Sequence, residues 1–512
     1  GNPLGTYGFT NAWTGQAYAD FLLGLLTSDS RQLGVVPNYM RQSNFSVFAQ
    51  DDWKITHRLT LNLGLRYELP GTLTDKYGRT SAFVPGPNVL AIGSEAALAA
   101  SGGATSNPNL LVAASQLGLP PAGYPGHNDF APRLGFAWRP FGGNRTVVRG
   151  GYGIFFAATP QNTLRLSYGG HFPFALSQAF NRITTNANYL TFANPFPTPP
   201  SNTANLATLA LFAIDEYAKT PNLQSWNLTV ERELGRSSAI EISYAGSKGT
   251  HLPIYENINQ PYWPPRTPAG DYPGFGTINY YPFSTNSLHN AGTVTFRRRL
   301  KRDFFYTANY VYSKTIDEGS EIAGGSFGGI ATPQNIHCIR CDRGRADFDI
   351  NHAFTTTFSW ISPFHQFVLR GWQIAGSGRF YSGLPFTPSL ANTTLGQPNR
   401  PDRLRTGTLP DPSVTQWFDI TAFVPVPPNS YRFGNSGRSI LDGPGREELN
   451  LNFSKNFAVT EWSNLQFRWE IFNVLNHPNF GLPIKNIDVL NAATLTSAGS
   501  PRLMQFALRY SF

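Results

Sequence analysis

The chain has 512 residues, 14% of them aromatic and 14% charged, with 49 glycines and 40 prolines. Charged content so far below the roughly 25% of ordinary soluble domains, combined with so many turn formers, excludes a helix-rich protein and suits strands joined by loops. The net charge of +9 does not mark a nucleic-acid binder, because Lys and Arg are scattered and the densest cluster, Arg297-Arg298-Arg299 with Lys301-Arg302, falls at a predicted strand end and turn.

One large domain is expected, since barrels run large as single units. No window approaches the ~20 consecutive apolar residues of a transmembrane helix, and the longest candidate, Phe21 to Leu26, is far too short. Any membrane crossing is therefore made by strands. The chain begins at Gly1 without methionine or a charged-then-apolar leader, which predicts a mature or truncated product. Residues 1–40 are expected as an extracellular loop, with Asp20 to Leu26 as a short amphipathic helix carrying Phe21, Leu22, Leu25 and Leu26 on one side. Residues 41–512 are expected to hold the strands and their loops.

Phe45 to Trp53 alternates in polarity, and Leu59 to Leu69 does so at every position. There Leu59, Leu61, Leu63, Leu65, Tyr67 and Leu69 share one face, and Thr60, Asn62, Gly64, Arg66 and Glu68 the other. A period of two predicts strands, because successive strand side chains point to opposite faces. Comparable segments follow at Arg133 to Trp138, Val147 to Phe156, Trp226 to Arg232, Ala239 to Tyr244, Thr293 to Arg298 and Phe305 to Tyr312. They continue at Phe354 to Trp360, Trp372 to Phe380, Leu449 to Phe453, Leu465 to Ile471 and Leu503 to Phe512, about thirteen in all. The last places Met504, Phe506, Leu508, Tyr510 and Phe512 against Gln505, Ala507, Arg509 and Ser511. Phe506, Leu508, Tyr510 and the terminal Phe512 look like the C-terminal signature of an outer-membrane barrel, although a soluble sandwich could show the same alternation.

The gaps alternate in length. Lys54 to Arg58, Arg139 to Thr146, Glu233 to Ser238, Arg299 to Phe304, Ile361 to Gly371 and Ser454 to Asn464 are short, and the connections between them are long and rich in Pro, Gly, Asn and Thr. Outer-membrane barrels have short periplasmic turns and long extracellular loops, whereas a soluble sandwich has no reason to gather its long loops at one end. Trp53, Trp138, Phe141, Trp360, Phe364, Trp372, Trp462 and Trp469 gather near the short turns, as an interfacial girdle requires; the alternative is core packing in a sandwich. With Phe512 on the periplasmic side, counting back makes the first strand run the same way as the last. Such a sheet cannot close by antiparallel pairing, and open edges are excluded in hydrocarbon, so further N-terminal strands are expected.

Several segments resemble the TonB-dependent receptors of the Oar-like type. They are Ala19-Asp20-Phe21-Leu22-Leu23-Gly24, Phe48-Ala49-Gln50-Asp51-Asp52-Trp53-Lys54 through Leu63-Gly64-Leu65-Arg66-Tyr67-Glu68, and Ala131-Pro132-Arg133-Leu134-Gly135-Phe136-Ala137-Trp138. Further matches are Trp226-Asn227-Leu228 with Glu231-Arg232-Glu233, Tyr244 to Leu252, Tyr312 to Asp317, Asp347 to His352 and Phe472 to Phe480. The resemblance implies an all-β, antiparallel transmembrane barrel of about 22 strands closed by an N-terminal plug. Residues 1–512 then correspond to its C-terminal part, with the plug, the TonB-contacting segment and about nine strands absent. It implies energy-coupled uptake of a bulky substrate across the bacterial outer membrane. The implied partners are outer-membrane lipid, the inner-membrane TonB complex through the plug, and the barrel-assembly machinery through the C-terminal strand.

Cys338 and Cys341 are the only cysteines and form Cys-x-x-Cys in a long predicted outer loop. A local disulfide suits an oxidising compartment. A zinc site needs about four ligands, and only His337 and His352 lie nearby; haem attachment would put His where Asp342 stands. Asp347-x-Asp349-x-Asn351 lacks the glycine and distal Glu of a calcium loop, so a structural role is expected. Gly324 to Gly329 lacks the Lys-Ser or Lys-Thr of a phosphate cradle and reads as a mobile loop. No Gly-x-Ser-x-Gly or His-Glu-x-x-His occurs, so no enzyme, metal or cofactor is expected.

By alternation Arg66, Glu68, Glu231, Arg297, Arg468, Glu470 and Arg509 point into the lumen, where they pair with one another or with the plug, or meet substrate. The outer loops, notably Tyr255 to Phe283, are the candidates for ligand capture. A passive porin or export channel and an adhesive surface protein are the rival functions. An upstream plug separates the first from a receptor, and loss of substrate-dependent uptake on deletion separates the second.

Overall fold

The computed structural model describes the chain except residues 1–3, 34–37, 72, 102–106, 108, 121–128, 142, 144, 158–170, 182–189, 197–208, 214, 216–217, 261–269, 301–302, 321–331, 365, 367, 392–399 and 428–431. Its frame is an antiparallel path of thirteen strands: β1 (Asn44–Thr56), β2 (Leu59–Pro70), β3 (Asp129–Trp138), β4 (Thr146–Phe156), β5 (Asn222–Leu234), β6 (Ser238–Pro253), β7 (Phe283–Leu300), β8 (Phe304–Asp317), β9 (His352–Ile361), β10 (Trp372–Tyr381), β11 (Arg446–Ala458), β12 (Asn464–Phe472) and β13 (Leu503–Ser511). Each strand pairs with its sequence neighbour. Every alternating segment became one of these strands, and most extend further toward the long connections, still paired with the neighbouring strand.

The register separates the two faces cleanly. One apolar row runs Leu300, Phe304, Trp360, Ile374, Phe453, Trp469 and Phe506, each residue directly opposite the next. Trp469 stacks against Phe453 at 5.3 Å and Phe506 at 5.8 Å. It sits five residues in from the strand end at Asn464, farther from the short turn than the rim position expected from sequence. On the same face Gly150, Gly246 and Gly376 lie directly opposite Phe136, Trp226 and Phe358. Each ring covers the space a Cβ would take, a packing that shields backbone a glycine leaves bare.

Ser511 pairs with Asn464, beside the short turns, and β1 ends at the short turn to β2. First and last strands thus run the same way, and among the described residues the path does not close. Antiparallel closure calls for an odd number of additional strands.

The long connections fold on one another. Segments from the β2–β3, β4–β5 and β6–β7 connections build a six-stranded mixed sheet, in the order Glu256–Asn257, Ile278–Tyr280, Leu211–Ala213, Ser81–Val84, Val89–Ile92 and Leu111–Ala113. Phe83, Leu90, Leu110, Phe172, Leu211 and Ile278 form its buried core. A second core of Phe386, Phe418, Phe423, Leu441 and Ala493 joins the β10–β11 and β12–β13 connections.

The expected helix is displaced. It spans Ala17–Leu22 and ends where Gly24 takes a φ of +67°. Leu26 is buried beyond its end, while Leu22 and Leu23 are exposed. The buried Asp20 fixes it by accepting from the Thr14 amide at 2.8 Å and the Trp13 amide at 3.2 Å. A carboxylate anchoring the preceding turn is invisible to an apolar-stripe argument.

Candidate functional site

The register brings Arg66, Glu68, Glu231, Arg297, Arg468, Glu470 and Arg509 to the face opposite the apolar row. They form local networks along that polar face. Arg66 pairs with Glu68 and donates to the Ser46 hydroxyl at 2.8 Å. Glu231 stands directly opposite Glu241, with Arg149 3.4 Å from the first and Arg297 3.1 Å from the second. Arg468 donates to the Gln466 amide oxygen at 2.8 Å, and Glu470 accepts from Gln505 at 2.6 Å and Asn452 at 3.2 Å. Arg509 lies opposite Gln466.

Arg149, Glu241, Arg379, Arg446 and Glu448 share this face and were missed by sequence reasoning. Parity within the predicted strands Val147 to Phe156, Ala239 to Tyr244 and Trp372 to Phe380 marks Arg149, Glu241 and Arg379. Arg446 and Glu448 precede the alternating segment that starts at Leu449, so only the paired register reveals them. Arg446 contacts Glu448 at 2.8 Å, and Arg379 stands opposite Glu448.

Above this last group, at the outer end, lies a cavity of about 520 Å³. Tyr381, Leu384, Phe472, Phe480 and Leu503 supply apolar walls, and Arg446 and Glu448 supply charge. Asn473 and Asn479 also line it but are committed to the fold: Asn473 bonds the His477 backbone in both directions, and Asn479 does the same with Glu447. The cavity therefore offers an aromatic and aliphatic body with an ion pair, the general make-up of a small-molecule site.

The β8–β9 connection holds the outer loops together. Cys338 and Cys341 are joined by a disulfide across the turn Ile339–Asp342, with Cα atoms 5.3 Å apart. Arg438, from the β10–β11 connection, donates to the carbonyls of Asp342 at 2.8 Å and Asp317 at 2.9 Å and pairs with the Asp317 carboxylate. Arg400 pairs with the buried Asp342, and Gln260 donates to the Gln334 carbonyl at 3.1 Å. Asp349 is buried, accepting from the Thr315 amide at 2.7 Å and Arg345 at 3.0 Å, while Asp347 accepts from Ser439 at 2.6 Å. These carboxylates bind protein groups. The Gly324 to Gly329 segment lies outside the described residues, as does part of Tyr255 to Phe283.

Loop environments shift titrations in both directions. Burial, then the Asp215 carboxylate, pushes Glu256 up to about 8. Hydrogen bonds from Arg432 hold Asp402 below the usual carboxylate range.

The family model described as outer membrane beta barrel domain matches residues 1–505. The chain belongs to this outer membrane beta barrel domain family. As a member it resides in the bacterial outer membrane, with its apolar face in lipid. No curated protein matches the sequence. Among solved structures the barrel is similar to the outer membrane transporter YddB from Escherichia coli, with a TM-score of 0.50 and 11% identity over 91% of this chain and 45% of YddB. It is also similar to the siderophore receptor PiuA from Acinetobacter baumannii (TM-score 0.41, 10% identity, 95% of this chain and 44% of PiuA). A third is the ferric-catecholate import receptor Fiu from Escherichia coli K12 (TM-score 0.42, 10% identity, 94% of this chain and 45% of Fiu). The likeness to YddB is one of fold, and the chain spans less than half the length of each of these proteins.

Proposed function

We propose that this barrel domain serves a TonB-dependent receptor of the Oar-like type, which takes up a bulky substrate by energy-coupled transport. The observation that carries the reading is the outer cavity: apolar walls and the Arg446–Glu448 pair sit beneath folded loops, at the outer end of a charged face. The sequence motifs shared with Oar-like receptors support the TonB dependence. In this reading the polar face lines the lumen, where charges stay hydrated; an Arg facing lipid at mid-membrane would cost ~2–4 kcal/mol. Arg66, Glu68, Glu231, Arg297, Arg468, Glu470 and Arg509 are then lumenal, and substrate meets the cavity before passing inward as a plug rearranges. Phe506, Leu508, Tyr510 and Phe512 present the terminal strand to the assembly machinery, and no catalytic step is assigned.

The test compares parent, gene-deletion and TonB-deletion strains for growth on a panel of oligosaccharides, peptides and iron chelates. Uptake lost in both deletions supports the receptor. Uptake lost only on deleting this gene makes the protein a passive channel, and unchanged uptake in every case makes it a surface protein.

A further inference from the structure

The chain's charge is divided unevenly between the two ends of the barrel. The six long connections hold sixteen basic and sixteen acidic residues, whereas the six short ones hold seven Lys or Arg against two acids. Five of the six short connections carry a cation, among them Arg58, Arg139, Arg236 and Arg370. In a barrel of this family the short turns face the periplasm, so the positive rim borders the periplasmic leaflet.

At one place this rim meets a groove in the lipid-facing surface. Trp360, Ile374 and Phe453 belong to the apolar row, and with Phe364, Leu369 and Trp372 they enclose about 320 Å³ at the β9–β10 connection. The lining is almost wholly hydrocarbon and aromatic; Ser362 is its one polar residue. Lys455 stands directly opposite Trp372, its ammonium 5.5 Å from a Trp372 ring centroid and donating to the Val368 carbonyl at 2.8 Å. Lys455 is itself buried, so its ammonium ties the turn to the sheet beside the groove. Arg370 is exposed in the same turn, next to Leu369. Glu461 is the one acid in the two connections concerned.

We propose that this groove holds one acyl chain of an anionic phospholipid of the periplasmic leaflet, with the exposed Arg370 taking its phosphate group. The groove supplies a slot for hydrocarbon, and Arg370 on the positive rim supplies the charge complement at the depth of the headgroup. The site is separate from any substrate path and does not depend on transport.

The test is native mass spectrometry of the full-length protein extracted from outer membranes in mild detergent. Phosphatidylglycerol or phosphatidylcholine with identical acyl chains is added, and heat-modifiable gel mobility verifies that each variant is folded. Phosphatidylglycerol is expected to bind several-fold more tightly than phosphatidylcholine. Arg370→Gln, which alters only an exposed turn, is expected to weaken it by about five-fold. Leu369→Asp, which sets a carboxylate in the groove wall, is expected to abolish retention of both lipids. Equal binding of the two lipids, binding unchanged by these variants, or displacement by inorganic phosphate alone each overturns the proposal.

Discussion

Glu231 and Glu241 face each other directly across neighbouring strands of the polar face, and each is matched by an arginine one strand farther out, Arg149 and Arg297. Like charges in direct cross-strand register repel, so the four residues act as one unit spanning four strands. Because the arginines are about half exposed, each pair contributes modestly. Replacing both arginines with Ala is expected to lower stability by about 1 kcal/mol, and Glu241→Gln to be neutral or slightly stabilising. The midpoint of the heat-induced gel-mobility shift reads both, and high salt should shrink the difference.

Arg438 is the hinge pin of the outer loops, being nearly buried and bonded to the connection that carries the disulfide. Removing one partner of a buried ion pair strands the other, at a cost of about 3–5 kcal/mol. Arg438→Ala should therefore expose the β8–β9 connection to protease while leaving β1 to β13 protected. Arg438→Lys should not restore protection, since one ammonium cannot reproduce the guanidinium fork.

Glu256 gives the loop sheet a pH dependence of definite sign. Its carboxyl ionises near 4.5 when unfolded and at about 8 in the fold, so the fold binds the extra proton between those values. Stability of the sheet should fall as pH rises from about 4.5 to 8 and then level off. Glu256→Gln should flatten that slope, stabilising the loops at pH 8 by a few kcal/mol and changing little at pH 4.5. Hydrogen exchange of the segment from Ile278 to Tyr280 across this range checks it.

The glycines beneath the lipid-facing rings tolerate no Cβ in place. Gly246→Ala would press on the Trp226 indole and Gly376→Ala on the Phe358 ring. Each is expected to cost about 1–3 kcal/mol through forced ring displacement. Combining Gly376→Ala with Phe358→Leu should recover part of that loss in the same gel-mobility assay.

A period of two in polarity was enough to place the thirteen strands, their antiparallel order and the direction of the last relative to the first. Alternation is written in each segment's own residues, and short and long gaps force neighbours to pair. The same rule assigned Arg66 and Glu470 to one face before any pairing was known. It did not reveal that Glu231 would stand opposite Glu241, that Trp469 would stack on Phe506 inside the sheet, or that Arg446 and Glu448 would floor a cavity. Those relations depend on register between strands and on loops distant in sequence. Arg438 meets Asp317 across 121 residues, and nothing in either segment names the other. Local chemistry fixed which residues face lipid; only the packing of the long connections decided which polar groups meet.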